Sequence, residues 1–177
     1  MLLKLVICAY MASARLIELA ISRRNIGSRV SNEAASSRRL YPVMVAMHTT
    51  VIAGTFLLGG RRRAGWLAAL LLVQPLRFWV LKSLGSRWNT RGAVPAEMEV
   101  ETGGPYAYMR HPNYTVVAVE LAALPAAFGL PRLALAATLL NALLMVVRVR
   151  DEERLLFELP GYEEHFEDKK RFVPGVF

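Results

Sequence analysis

Residues 112–149 read PNYTVVAVELAALPAAFGLPRLALAATLLNALLMVVRV, and this stretch decides the fold class. Two apolar runs, 112–128 and 131–149, flank the turn Pro125-Ala-Ala-Phe-Gly-Leu-Pro131, whose Gly and Pro punctuate the pattern. Each run is near the ~20 residues that a helix needs to cross ~30 Å of hydrocarbon. The pattern predicts two antiparallel helices turning at Gly129. Three more runs lie upstream: about 1–22, interrupted by Lys4, Arg15 and Glu18; about 42–59, opened by Pro42 at a first-turn position; and about 64–83. The first lacks the clean apolar centre and small-residue cleavage site of a signal peptide. The expected fold is all-α, an integral membrane bundle of about five transmembrane helices with the last two forming a hairpin. One domain over 1–177 is expected, its first part (1–84) holding three helices and its second (85–177) the hairpin and a C-terminal tail.

Composition agrees with a membrane chain. Of 177 residues 54% are hydrophobic, yet 22 Lys and Arg outweigh 14 Asp and Glu, leaving +8. Apolar runs with clustered base suggest cationic cytoplasmic loops rather than a nucleic-acid partner. The latter would want basic residues interleaved with aromatics on one face. Cys8 is the only cysteine, which excludes disulfides and thiolate metal sites, and no metal-ligand spacing is present. If the spans alternate, fifteen basic residues fall on the side holding the 23–41 loop (Arg29 among them), the 82–111 loop and the tail from Arg148. Four, Arg61, Arg62, Arg63 and Arg132, fall on the other. The positive-inside rule then puts the N-terminus outside and the 82–111 loop and tail in the cytoplasm.

Three groups of residues are candidates for chemistry. The first is Gly103-Gly-Pro-Tyr-Ala-Tyr-Met-Arg-His-Pro-Asn-Tyr114, where Pro112 suits the first turn of a helix. Arg110 and His111 then stand at a helix N-terminus, whose free N–H groups favour an anion; a basic anchor with an aromatic belt is the alternative. The second is Arg148-Val-Arg-Asp-Glu-Glu-Arg-Leu-Leu156. Arg148 and Glu152 are i,i+4 and share a helix face. An Arg ending an apolar span needs a partner or a function, and Glu152 is the nearest partner. Gly129 lies 18 residues after His111 and 19 before Arg148, so equal helices return the chain to one depth and make His111 and Arg148 neighbours. The third group is the ionisable set inside the spans: Arg15, Glu18, His48, Arg77 and Glu120. Such groups face the bundle interior and line polar paths. Arg15 with Glu18, and Arg77 with Glu120, can also simply neutralise each other. No G-x-G-x-x-G, P-loop or G-x-S-x-G is present.

Gly104-x-Tyr106-x-x-x-Arg110-His111-Pro112-x-Tyr114, then Arg148-x-x-x-Glu152-Glu153, then Gly161-Tyr162-Glu-Glu-His-Phe and Arg171-Phe-Val-Pro follow in order over 82–177. These blocks resemble the isoprenylcysteine carboxyl methyltransferase family. Arg15-Leu-Ile-Glu18-Leu, Ser22-Arg-Arg-Asn25, Gln74-Pro-Leu-Arg77-Phe-Trp and Ser83-Leu-Gly-Ser-Arg-Trp-Asn89 are similar to a small bacterial branch. That branch is linked to type III polyketide synthases and O-methylates alkylpyrones and alkylresorcinols. The resemblance implies S-adenosyl-L-methionine as cofactor, bound by Met98, Glu99, Val100, Glu101, Tyr106, His111, Pro112, Asn113, Tyr114 and Glu152. The 98–101 loop matches by spacing rather than residue type, so its backbone contacts carry over more safely than its side chains. The resemblance implies Arg148 on the substrate side, with Arg148 and Glu152 as the expected catalytic pair; their place inside the spans makes Arg15, Glu18, His48, Arg77 and Glu120 the expected lining of the substrate pocket. The expected acceptor is a lipophilic small molecule entering from the bilayer. The expected place is the bacterial cytoplasmic (inner) membrane, multi-pass, with membrane lipid around it and the active site facing the cytoplasm. Carboxyl methylation of an isoprenylcysteine, an NADPH-dependent membrane lipid reductase and a non-enzymatic scaffold are the alternatives.

Overall fold

A computed structural model describes residues 1–27, 31–33, 35–95 and 98–176; Arg29, counted above among the basic loop residues, lies outside them. The elements run α1 (Leu2–Gly27), β1 (Ser31–Glu33), α2 (Ala35–Leu58), α3 (Ala64–Leu72), α4 (Gln74–Leu84), β2 (Ala93–Pro95), α5 (Pro112–Ala127), α6 (Pro131–Leu156) and α7 (Tyr162–Phe166). The fold is an all-α membrane bundle. Among the described residues four helical stretches are long and apolar enough to cross a membrane: Leu2–Ile26, Arg38–Leu58, Ala64–Arg87 and Pro131–Leu156.

The fifth expected span is different in kind. At 16 residues α5 rises only about 24 Å, short of a full crossing, and eleven of those residues are buried. It packs against α2, α3, α4 and α6. Its alanines let these neighbours approach closely, so α5 is the central post of the bundle rather than another lipid-facing helix. Leu16, Ile17, Leu57, Leu72 and Leu143 point outward as the apolar belt.

Two boundaries depart from the sequence expectation. Pro42 lies inside α2 instead of opening it. The preceding turn carries Arg38 and Arg39, good helix formers that extend it beyond the apolar run. The third span is broken at Val73 between α3 and α4. The cause is Pro75, which has no N–H to continue the ladder. Helix α6 continues beyond the apolar span to Leu156, as the helix face shared by Arg148 and Glu152 requires, because Arg150, Glu152, Glu153 and Arg154 favour helix. A short antiparallel ribbon, Ser31 opposite Pro95 and Glu33 opposite Ala93, ties the first loop to the segment before α5.

Inside this shell sits a network of four charges. The Arg77 guanidinium donates from Nη2 to Glu120 Oε2 at 2.6 Å, from Nε to Glu120 Oε1 at 3.1 Å and from Nη1 to Glu18 Oε1 at 3.0 Å. Arg15 Nη2 reaches Glu18 Oε1 at 3.0 Å and Glu120 Oε2 at 3.4 Å. The Gln74 amide donates to Glu120 Oε1 at 3.0 Å. Arg77 and Glu120 are each 3% exposed. Removing one partner leaves an uncompensated charge in low dielectric, which costs far more than removing both. Arg77→Ala should therefore lower unfolding free energy in detergent by about 3–5 kcal/mol. The pair of changes Arg77→Met with Glu120→Leu, which leaves Arg15 and Glu18 to each other, should lie much closer to wild type. Denaturant titration of the purified protein checks the order; a double variant no better than Arg77→Ala would refute it.

Candidate functional site

The chain between α4 and α5 is mostly irregular and is held by side chains. Arg87 anchors it, donating to the carbonyls of Leu84, Ser83 and Glu99 and to the Glu101 carboxylate. The Asn89 side-chain oxygen accepts from the backbone of Arg91 and Ala93. Gly92 follows at φ +64°, a conformation that L side chains rarely adopt, and a Cβ there would stand 2.9 Å from Glu152 Oε2. Glycine is what lets this backbone lie against the end of α6.

A cavity open to solvent lies between this segment, the start of α5, the end of α6 and α7. Met98, Val100, Glu101, Tyr106, His111, Asn113, Tyr114, Glu152 and Arg148 all line it. Two residues of the expected set do not: Glu99 contributes its carbonyl to Arg87 at 3.1 Å, and Pro112 is buried in the first turn of α5. Within the 98–101 loop only Glu99 turns away, its carbonyl taken by Arg87. The structure adds Arg87, Trp88, Gly92, Tyr162 and Phe166 to the lining. Trp88 stands in the Ser83–Asn89 block of the sequence, but nothing in that pattern marks it as a wall residue.

The two motif blocks meet as the equal arms of the hairpin require, with one change of partners. Arg148, 3% exposed, does not hold Glu152 directly. Its Nε donates to the Tyr114 hydroxyl at 2.8 Å and its Nη2 to the Thr90 carbonyl at 2.7 Å. The Tyr114 hydroxyl in turn donates to Glu152. A hydroxyl both gives and accepts, so Tyr114, coming from α5, bridges two charges that α6 alone would pair. His111, 4% exposed, stacks on Tyr114 at 5.3 Å between ring centroids and bonds Glu153 Oε1 through Nε2 at 3.1 Å. Burial, with Glu152 close by, holds the Tyr106 phenol above its ordinary pKa, so it serves as a neutral hydrogen-bonding ring.

The intramembrane set gathers elsewhere. A groove of about 500 Å³ runs between α1 and α2. Leu5, Cys8, Ala9, Ile52, Ala53 and Phe56 make its apolar part, and Arg15, Glu18, His48 and Arg77 its polar part. Glu120 stands behind Arg77 rather than on the wall, and His48 binds the Met44 carbonyl through Nδ1 at 2.8 Å. Four residues, Trp88, Asn113, Tyr114 and Arg148, line both the cavity and the groove.

Comparison with known proteins adds two findings. A model of the isoprenylcysteine carboxyl methyltransferase (ICMT) family matches residues 66–158, from α3 through α6 and across both motif blocks. The chain is also 34% identical over 153 residues to the uncharacterized protein YpbQ of Bacillus subtilis (strain 168). That alignment covers 81% of this chain and 90% of the relative.

The bridging hydroxyl gives a direct test of the geometry. Tyr114→Phe should destabilise the fold by about 1–3 kcal/mol, since Arg148 Nε and Glu152 lose a shared buried partner. Tyr162→Phe removes a buried hydroxyl that has no partner among the described residues and should be neutral to within about 0.5 kcal/mol. Equal unfolding midpoints for the two variants would contradict the bridge.

Proposed function

The chain belongs to the isoprenylcysteine carboxyl methyltransferase family and is an S-adenosyl-L-methionine-dependent membrane methyltransferase; on that premise we propose that the cavity between α5, α6 and α7 holds the cofactor and the α1–α2 groove a lipophilic acceptor. The observation that carries this is the wall shared by the two spaces: Trp88, Asn113, Tyr114 and Arg148. A methyl donor and its acceptor need to meet at one surface while remaining in separate pockets. Family membership sets aside the reductase and scaffold readings.

The cavity's side chains suit the cofactor. Glu101 and Glu152 offer carboxylates to an ammonium group or ribose hydroxyls, and Tyr106, Tyr162 and Phe166 offer aromatic faces to a purine or a cationic sulfur. Bound there, S-adenosyl-L-methionine supplies an electrophilic methyl group. The protein's task is alignment and exclusion of water, worth up to about 7–11 kcal/mol of barrier. Arg148, fixed by Tyr114 and the Thr90 carbonyl, orients an acceptor oxygen that is already anionic, so no general base is required. Glu152 acts through Tyr114 and toward the cofactor.

The acceptor proposed is a long-chain lipid with an acidic enol or phenol, of the alkylpyrone or alkylresorcinol type. The branch-like first half and the polar end of the groove support it, and its tail would enter from the bilayer between α1 and α2. Carboxyl methylation of an isoprenylcysteine-like acceptor is the second reading, and the family match favours it at least as much. The proposed place is the bacterial cytoplasmic membrane with the cofactor cavity on the cytoplasmic side, on the strength of the basic residues that the 82–111 loop and the tail bring together beside that cavity.

Calorimetry should show His111→Ala and Glu152→Ala each weakening cofactor binding roughly ten-fold, or ~1.4 kcal/mol. Arg148→Lys keeps the charge but loses the fork. It should cut turnover by about 10²-fold or more with cofactor affinity little changed, the pattern of a lost transition-state contact. A methyl-release assay offering alkylpyrone, alkylresorcinol and farnesylcysteine side by side decides the acceptor. Turnover of farnesylcysteine alone would replace the aromatic-lipid assignment by the carboxyl one.

A further inference from the structure

The second carboxylate of the Glu152-Glu153 pair takes no part in the scheme above, yet it has the denser set of contacts. Glu153 is 6% exposed. Arg171 forks onto it, with Nε at 2.9 and 3.2 Å from its two oxygens and Nη2 at 2.7 Å from Oε2. Arg110 Nη1 stands 3.5 Å away, and His111 Nε2 is bound at 3.1 Å.

Arg171 belongs to the C-terminal tail, which lies along the chain entering α5 as a strap. The Arg110 N–H donates to the Lys170 carbonyl at 3.0 Å and the His111 N–H to the Arg171 carbonyl at 2.8 Å. The Thr115 hydroxyl donates to the Phe172 carbonyl at 2.7 Å. Arg110 completes the strap by donating to the carbonyls of Lys169 and Glu167 at 2.8 and 2.9 Å. Phe172 sits 6.2 Å from the His111 ring. The strap thus reaches the imidazole from the backbone, from one ring edge and through Glu153.

A carboxylate only accepts, so the hydrogen on the bond to Glu153 is carried by His111 Nε2. Nδ1 of the neutral ring is then a lone-pair acceptor. With Nε2 tethered and Tyr114 stacked on one face, the ring has little freedom to turn, and it lines the first cavity. We propose that Glu153, locked by Arg171 of the tail, is a positioning residue. It fixes the tautomer and orientation of His111 so that Nδ1 accepts a hydrogen bond from an N–H or O–H group of the cofactor. The inference rests on the assignment of that cavity to S-adenosyl-L-methionine. It gives the tail a part in cofactor binding without contact to the reacting atoms, and it gives the two adjacent glutamates separate work.

The test uses the full-length protein in detergent, with ¹⁵N-labelled histidine and calorimetric titration of S-adenosyl-L-methionine. His111 resonances are identified by their loss in His111→Ala. The wild-type ring should carry its hydrogen on Nε2, and its Nδ1 signal should move when the cofactor is added. Glu153→Gln should turn that single tautomer into a mixture and weaken binding roughly ten-fold. Arg171→Ala should weaken it several-fold, with partial recovery in Arg171→Lys. Under saturating cofactor kcat should change little in all three, whereas KM for the cofactor rises. Glu164→Ala, an exposed change on α7, serves as the unaltered reference. Arg171 is half exposed at its side chain, so Arg171→Ala keeps the question open to measurement even if Glu153→Gln does not fold. Wild-type affinity in the folded Glu153→Gln and Arg171→Ala variants, or a wild-type His111 protonated at Nδ1, overturns the inference alone. A cofactor that binds without moving the His111 signals overturns it together with the cavity assignment.

Discussion

A guanidinium inside a membrane bundle has to be neutralised by groups that stay beside it, and Arg77 meets this with Glu120 of α5 and Glu18 of α1. Arg77 and Glu120 are each 3% exposed, so an unpaired charge there would have little solvent to compensate it. The consequence reaches well beyond the four charges. Helix α5 is too short to be held in place by the bilayer, and the ion network is what joins it to α1 and α4. Because α5 carries His111 at its N-terminus and Tyr114 in its first turn, the same network sets where those side chains stand. The polar end of the α1–α2 groove is the exposed side of this cluster. Its charges are therefore both the structural lock and the polar lining of the groove.

From that post the site is assembled by groups that accept and donate at once. The Tyr114 hydroxyl takes the Arg148 hydrogen bond and passes its own to Glu152, so an arginine and a glutamate on one helix are separated by a residue from the next. The separation has a chemical use. Arg148 keeps donor capacity directed away from Glu152, and it stands on the wall between cavity and groove. Glu152 remains turned to the cavity, beside the Gly92 backbone that only a glycine allows so near. The neighbouring Glu153 points its bonds to the tail instead, and the tail closes over the entry to α5. Two carboxylates adjacent in sequence thus meet different partners, as the 100° step between successive helical residues allows.

The parts of this arrangement that are legible in the sequence depend on length and spacing. The hairpin turn at Gly129 and the equal arms on either side bring His111 and Arg148 to one depth, and the structure brings both onto the lining of one cavity. The pairing of Arg77 with Glu120 follows from the cost of an unpaired charge in an apolar span. Spacing is blind where a second element intervenes. Tyr114 between Arg148 and Glu152 is invisible to an i,i+4 argument, and the joining of Trp88 to both pockets depends on how an irregular loop folds over the helix ends. Counting apolar residues also overstates α5, since burial within protein and burial in lipid leave the same composition.

The sequence by itself determined the all-α membrane class, the hairpin, the shared depth of its two motif blocks and the family to which they belong. These follow from hydrophobic run length, turn residues and fixed helical rise, all of them local quantities. The tertiary structure alone decided which side chains touch. It made α5 the core rather than a span and put a hydroxyl between two charges. It folded the tail back onto His111, and it opened two pockets onto one wall. Those outcomes depend on the directions in which separate helices present their faces, and no spacing within one segment carries that information.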